Sequence, residues 1–399
     1  VEDASPLLRD VAAALAPHTG HAQVLGLTGS PGVGKSTTTT ALVRALRELM
    51  AALAPDTGRA TVVGLTGAPG VGKSTTTSAL VGELTERLRG GDGRAVARLI
   101  SLVEDGAHGQ LSEVADALNP GTGQAEVIGL TGSPGVGKST LCDALVAAYR
   151  EAGRTVGVLA VDPSSPFTGG ALLGDRVRMQ RHALDDGVYI RSMATRGHLG
   201  GLAWATPQAV RVLDAAGCEV ILVETVGVGQ AEVEVAGLAD TTLVVLAPGF
   251  GDAVQVAKAG ILEVADLFVV NKADRDGAGN VARDLRQMLH LGEARPWSVP
   301  VLLTVAERGE GIGQLVATIA QHRAHLESSG ELERRRRGRA AREIEEIALA
   351  DLRAELGELG HGEALDSLAE QVAAGKLGPY AAAEQLLVRV KEENPPASR

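Results

Sequence analysis

The sequence predicts an α/β fold: a mostly parallel sheet covered by helices, preceded by a helical region and followed by a long helical arm. Three observations carry this expectation. From residue 127 to about 328, short Val/Ile/Leu runs (155–161, 188–193, 218–224, 242–247, 267–271 and 299–304) alternate with helix-compatible stretches. The runs are near-continuous rather than alternating, as strands buried on both faces are, and strands that alternate with helices build parallel sheets. Second, residues 132–139 read GSPGVGKS, the pattern G-x-x-x-x-G-K-[ST], between an apolar run and a helical stretch. Third, the loops rich in acids and glycine follow directly on strand runs, where ligands bind on such sheets.

Composition narrows the function. The chain has 399 residues, 45% hydrophobic and 22% charged, enough for a large core. Aromatics are only 2% and the net charge is −11, which argues against nucleic acid as a partner. The two cysteines, Cys142 and Cys218, lie in separate apolar segments, so a disulfide scaffold or structural zinc is not expected. No stretch approaches the roughly 18 uninterrupted apolar residues of a membrane span. The first residues, VEDASPLLRD, do not resemble a secretory signal, and a cytoplasmic enzyme is expected.

Residues 1–90 hold two further copies of the phosphate-loop stretch. The lead-ins APHTGHAQVLGL, APDTGRATVVGL and NPGTGQAEVIGL each run into TG[SA]PGVGKST. Lys35 to Lys73 is 38 residues and Lys73 to Lys138 is 65, so this is an irregular duplication rather than a solenoid. Neither early copy is followed by a strand carrying a Mg²⁺-directed acid or by a base-reading motif. The duplication is therefore expected to be inert rather than to add nucleotide sites at Lys35 and Lys73. Its two strands could compete with the third for one slot in the sheet. Residues 91–126 are expected to be helical, with apolar spacing at Val96, Leu99, Ile100 and Val103.

In the third copy, Gly132, Pro134, Gly135, Val136 and Gly137 form the loop whose N–H groups close around phosphate, with a helix N-terminus behind it. Lys138 supplies charge for the terminal phosphates. Ser139 carries a hydroxyl for Mg²⁺, and Thr140 continues into the helix. Asp162 ends the next strand and is placed to reach Mg²⁺ directly or through water. Asp175 is either a further Mg²⁺ acid or an ordinary first-turn helix acid. Glu224 ends a strand before the loop TVGVGQ; it would hold the metal or its water, and the Gly227 N–H could meet the γ-phosphate. A buried acid without such a role is costly. The loop PGFGD leads into a helix with Gln255 and Lys258; Asp252 and Lys258 could pair with each other, the nucleotide or a partner protein.

Asn271-Lys272-Ala273-Asp274 is the N-K-x-D guanine reader, about 130 residues after the phosphate loop. The Asp274 carboxylate would accept from guanine N1–H and the 2-amino group, donors that adenine lacks, a mismatch worth about 10⁴–10⁵ in discrimination. Val305 and Ala306 are placed to give the base a backbone contact. GTP and GDP with Mg²⁺ are thus the expected cofactors. Residues 329–399 change character: Arg334–Arg337 open a charged helix, expected to show a solvated face next to Glu residues. The stripe Ile344, Ile347, Leu352 and Leu356, and a second amphipathic segment at 365–390 broken by Gly378-Pro379, need a surface to bury them; a subunit interface is the economical answer.

Longer strings carry a family resemblance: SLVEDG, TGSPGVGKST, VDPSSPFTGGALLGDRVRM, RSMATRGHLGGLA, ETVGVGQAEVEVA, PGFGDAVQVAKAGILEVAD and VVNKAD. From about residue 91 to the end, the chain resembles the methylmalonyl-CoA mutase-associated GTPases of the MeaB/ArgK type. The resemblance implies a P-loop NTPase fold and a homodimeric GTPase that chaperones an adenosylcobalamin-dependent acyl-CoA mutase, gating cofactor loading and protecting the mutase. It implies switch loops at 162–178, 225–235 and 247–258. By it Lys138, Asp162, Asp175 and Glu224 are catalytic, the three acids with Ser139 serve Mg²⁺, and Asp252, Gln255 and Lys258 belong to the third switch. The expected organisation is 1–90 duplicated phosphate-loop segments, 91–126 helical region, 127–328 GTP-binding domain and 329–399 dimerisation arm. The family pattern has one phosphate loop, so residues 1–90 are the departure. A nickel- or cobalt-delivery GTPase and a kinase of a small molecule or transport protein are the rival readings.

Overall fold

The computed structural model describes residues 23–27, 61–65, 73–105, 108–162, 179–182, 184–194, 205–225, 231–249, 261–292, 295–360 and 363–393. Its first strands are β1 (Gln23–Leu27) and β2 (Thr61–Leu65). They do not enter the main sheet. They pair with each other in parallel, Gln23 opposite Thr61 and Leu27 opposite Leu65, so equivalent positions of the two copies face one another. The anticipated competition for one slot is resolved by the copies satisfying each other's backbone groups.

Helix α1 (Lys73–Arg89) begins at the lysine of the second phosphate-loop copy and leads into α2 (Gly93–Asp105) and α3 (His108–Leu118). Val81, Leu84 and Leu88 of α1 are buried in the same cluster as Val96, Leu99, Ile100 and Val103 of α2. The helical layer therefore starts at 73 and takes in residues that the sequence assigns to the duplicated segment.

The main sheet comprises β3 (Glu126–Thr131), β4 (Val156–Asp162), β5 (Val188–Ala194), β6 (Val220–Thr225), β7 (Thr241–Leu246), β8 (Leu267–Val270) and β9 (Val301–Leu303). Its order is β5-β4-β6-β3-β7-β8-β9, and every pairing is parallel. All residues of β3, β6, β7 and β8 are buried. Alternate side chains feed opposite layers. Ile128, Leu130, Leu222 and Val245 pack against α4 (Lys138–Glu151) and, past α5 (Thr206–Ala215), α6 (Ala231–Leu238), α7 (Ile261–Val264) and α8 (Ala278–Leu291), against α9 (Ile312–Ser328). Val127, Leu159, Ile221 and Val223 pack against α5, α6 and the N-terminal helices. Val244, Phe268 and Val270 pack against α8. This two-sided burial is what the unbroken apolar runs required.

The arm is α10 (Glu331–Gly360), α11 (Glu363–Ala373) and α12 (Pro379–Glu393), the last opening on proline, whose missing N–H costs nothing in a first turn. Only part of the arginine run is a solvated face: Arg334 and Arg337 are exposed, Arg334 beside Glu331, while Arg335 and Arg336 turn inward. Arg336 and Arg339 pair with Asp240 at 2.8 and 2.6 Å, and Arg335 pairs with Asp266 at 3.0 Å. Both acids are buried, each directly before a strand, at the amino ends of β7 and β8, opposite the phosphate loop. Arg211 and Gln208 of α5 hold Glu343 further along α10. The sequence reading failed here because the arginines' partners lie some 70–100 residues upstream (Arg335 to Asp266 is 69 and Arg339 to Asp240 is 99). Among the described residues, no helix is long and apolar enough to cross a membrane.

Candidate nucleotide-binding site

The chain runs from β3 to one side of the sheet and from β7 to the other, so the crevice at the carboxyl end of β3 is the switch point where such folds bind ligands. The phosphate loop occupies it. Gly132 has φ 139°, and a Cβ there would stand 2.1 Å from the Val245 carbonyl oxygen of the neighbouring strand. Gly137 has φ 92°, and a Cβ there would stand 2.5 Å from Asn271 Nδ2. The pattern's glycines are thus demanded by close approach as well as by backbone conformation.

Helix α4 starts at Lys138. The buried Lys138 ammonium donates to the carbonyls of Gly132 and Ser133, at 2.6 and 3.1 Å, which folds the side chain back over the loop. Ser139 Oγ donates to Glu224 Oε1 at 2.5 Å. Glu224, 4% exposed, lies opposite Leu130 in the β3–β6 ladder, which is how a residue 85 positions later meets the loop. Two oxygens this close, one of them a carboxylate, form the hard donor set that suits Mg²⁺. Thr225 beside Glu224 closes the strand pair by donating to the Leu130 carbonyl at 3.4 Å. Pro134 and Gly135 are exposed at the tip of the loop, Val136 is buried beneath it, and Thr140 lies in the first turn of α4.

The N-K-x-D segment follows β8 and is strapped to the phosphate loop. Asn271 Nδ2 donates to the Val136 carbonyl at 3.0 Å, and Lys272 Nζ donates to the Gly135 carbonyl at 2.6 Å. Asn271 Oδ1 accepts from Thr304 Oγ1 at 3.2 Å and from the Ala306 N–H at 3.1 Å. Lys272 holds φ 55°, an uncommon conformation for a non-glycine residue, between backbone bonds from Asn271 N–H to the Leu246 carbonyl at 2.8 Å and from Ala273 N–H to the Thr304 carbonyl at 3.0 Å. Val305 sits beside Ala306 in the same buried turn. Asp274 is exposed and pairs with Arg308 at 3.3 Å. The sequence supplied these residues but not their mutual bracing. The strand-end position of Asn271 and Lys272 was readable in the sequence, but not which loop carbonyls they reach.

Asp162 ends β4, one residue beyond the position facing Thr225; only its backbone place is described. Asp175, Gly227, Asp252, Gln255 and Lys258 lie outside the described residues. The two cysteines are buried in different layers, Cys142 with α4 and Cys218 with α5 on the other face of the sheet, and burial raises the Cys218 thiol well above its ordinary value. Among the described residues, no group of three or more His, Cys, Asp or Glu is placed to hold a metal ion.

Comparison with known proteins agrees with the geometry. The family model described as methylmalonyl Co-A mutase-associated GTPase MeaB matches residues 1–49, 44–91 and 96–358, so the two early copies match it as well as the main body. A relative from Pyrococcus abyssi, given a GTPase name on provisional grounds, is 48% identical over 77% of this chain and 96% of its own length. The GTPase ArgK of Escherichia coli is 39% identical over 62% of this chain and 77% of its length. A mouse protein named methylmalonic aciduria type A homolog, mitochondrial, is 40% identical over 52% of both chains. Among solved structures, one titled LAO/AO transport system kinase superposes with a TM-score of 0.58 at 27% identity, over 78% of this chain and 98% of that one.

Proposed function

The chain belongs to the MeaB family of methylmalonyl-CoA mutase-associated GTPases, and from that membership we propose that it is a Mg²⁺-dependent conformational timer for an adenosylcobalamin-dependent acyl-CoA mutase. In this reading it works as a homodimer, and its GTP cycle gates cofactor loading and protects the mutase. The observation that supports it best is the joining of three strand ends into one site. The phosphate loop after β3, Glu224 on β6 and N-K-x-D after β8 are linked by side-chain hydrogen bonds.

The roles follow from the chemistry. Backbone N–H groups of residues 132–137 and the start of α4 hold the phosphates. Lys138 leaves its two loop carbonyls for the terminal phosphate oxygens, a like-for-like exchange of acceptors. Ser139 and Glu224 would hold Mg²⁺, which when bound neutralises charge on the β- and γ-phosphate oxygens. Asp162 and Asp175 complete the acidic set, and the Gly227 N–H meets the γ-phosphate. Asp274 reads the base, with Asn271, Lys272, Val305 and Ala306 framing its pocket. Asp252, Gln255 and Lys258 form the loop that reports the nucleotide state to the partner. These groups bind and orient; full acceleration of hydrolysis is assigned to the mutase complex, so the isolated chain turns over slowly.

Affinity capture of an adenosylcobalamin-dependent mutase tests the proposal, with and without a non-hydrolysable GTP analogue. Capture that changes with the nucleotide is expected; capture indifferent to it would sink the timer. The kinase title of the superposable structure motivates a second reading, transfer of the γ-phosphate to an acceptor. Following labelled γ-phosphate separates the two, since a GTPase releases it as free phosphate.

A further inference from the structure

We propose that Arg308 is a built-in stand-in for guanine, which competes with the nucleotide base for Asp274. The inference rests on Asp274 being the base reader. Arg308 Nη2 lies 3.3 Å from Asp274 Oδ2, and Nη1 lies 3.7 Å from Glu310 Oε1. The chemistry of the two ligands is the same at the edge that matters. Guanine offers N1–H and a 2-amino N–H side by side in one plane, and a guanidinium offers the same pair of planar donors. Here one of the two guanidinium donors, Nη2, is on Asp274 Oδ2 while Nη1 faces Glu310, so Arg308 occupies an oxygen that the base edge needs.

The backbone around Arg308 is built to present it. Ala306–Arg308 form a single helical turn, closed by Gly309 at φ 71°. Val305 and Glu310 exchange both backbone hydrogen bonds across it, at 3.0 and 3.2 Å. Gly311 follows at φ 78°, where a Cβ would stand 2.4 Å from the Leu303 carbonyl oxygen. The turn is tied to the base-reading segment by Ala306 N–H to Asn271 Oδ1 at 3.1 Å and by Ala273 N–H to the Thr304 carbonyl at 3.0 Å. Arg308 therefore hangs from a stiff support anchored to the site it reaches into. Glu310 gives the guanidinium a second carboxylate to retire to when the base arrives. Its side chain is 61% exposed, so moving it disturbs no core.

A fraction of molecules with Asp274 engaged by Arg308 lowers the apparent affinity by that fraction. An exposed pair of this kind is weak, so Arg308→Ala is expected to tighten GDP and non-hydrolysable GTP by about two- to five-fold at low salt. The gain should shrink in about 0.5 M salt, where exposed charge pairs are screened. Arg308→Lys, which keeps the charge but lacks the planar pair of donors, should fall between the two. Calorimetric titration of the full chain reads all three. Unchanged or weaker GDP binding in Arg308→Ala overturns the stand-in. A second arm uses Asp274→Asn with xanthosine diphosphate, whose 2-oxo group accepts from an Asn amide. Adding Arg308→Ala there should change nothing, because the carboxylate Arg308 competes for is gone; a gain equal to that in the parent overturns the proposal. If Asp274→Asn still prefers guanine to xanthine, the base-reading assignment itself has failed, a result distinct from failure of the stand-in.

Discussion

Gly132 shows how tightly the site is drawn at the scale of single residues. A methyl group there would collide with the Val245 carbonyl oxygen, and the backbone at φ 139° is glycine territory. Gly132→Ala should therefore reduce GTP affinity by about 100-fold or more while the far side of the sheet keeps its fold; equilibrium titration and circular dichroism check both halves. Asp274→Asn is expected to exchange guanine for xanthine preference, with guanine affinity falling by about 10⁴, the scale of a lost paired donor set. Competition between GDP and xanthosine diphosphate measures it. Most of these residues were legible from the sequence because their chemistry is local: a lysine and serine behind a glycine loop, an acid at a strand tip. What was not legible is which side chain holds which. Lys272 on the Gly135 carbonyl depends on the packing of β3, β7 and β8 side by side, and Ala306 on Asn271 on that of β8 beside β9, and no spacing encodes either.

At the scale of elements, the attachment of α10 is the main surprise. Its arginines were read as a solvated face because Glu residues flank them. Arg334 and Arg337 are exposed as expected, but Arg335, Arg336 and Arg339 reach acids that sit buried at the amino ends of β7 and β8. Burial alone would raise the Asp240 pKa, but hydrogen bonding from Arg336 and the charge of Arg339 outweigh it and hold the carboxyl below its ordinary value. Asp266 behaves likewise: burial raises it, while His322 and Arg335 bring it down. The sign follows. Both groups contribute stability that is fully present above the unfolded carboxylate value near pH 4 and is lost as pH falls through the lower folded values. Chemical denaturation at stepped pH should show an acid limb that flattens in Asp240→Asn. Asp240→Ala, which strands two half-buried guanidiniums, is expected to cost about 3 kcal/mol at pH 7. The strands, by contrast, were legible to within about two residues at each end, since burial on both faces leaves a near-continuous apolar run in most of them.

At the scale of the whole molecule, the question is what three phosphate loops do in one chain. The helix of the second copy packs into a different layer: Val81, Leu84 and Leu88 of α1 are buried in the core shared with α2 and α3. The same face of α4, at Leu145, Val146 and Tyr149, covers the main sheet. β1 and β2 pair with each other rather than with the main sheet. The duplication was legible from the strings, but the fate of the copies was not, because it depends on which packing surface each helix finds. Removing residues 1–72 is expected to leave GTP affinity within about two-fold of the full chain. Removing 1–90 also takes away three buried side chains worth about 1.5–3 kcal/mol each, and thermal melting should show a clear loss of stability.

The central claim is that one nucleotide site works, and that the third copy makes it. Calorimetric titration of a non-hydrolysable GTP analogue into the full chain, and into Lys35→Ala, Lys73→Ala and Lys138→Ala, tests this directly. One nucleotide per chain is predicted, lost in Lys138→Ala and kept in the other two. More than one per chain, or binding that survives Lys138→Ala, would contradict it.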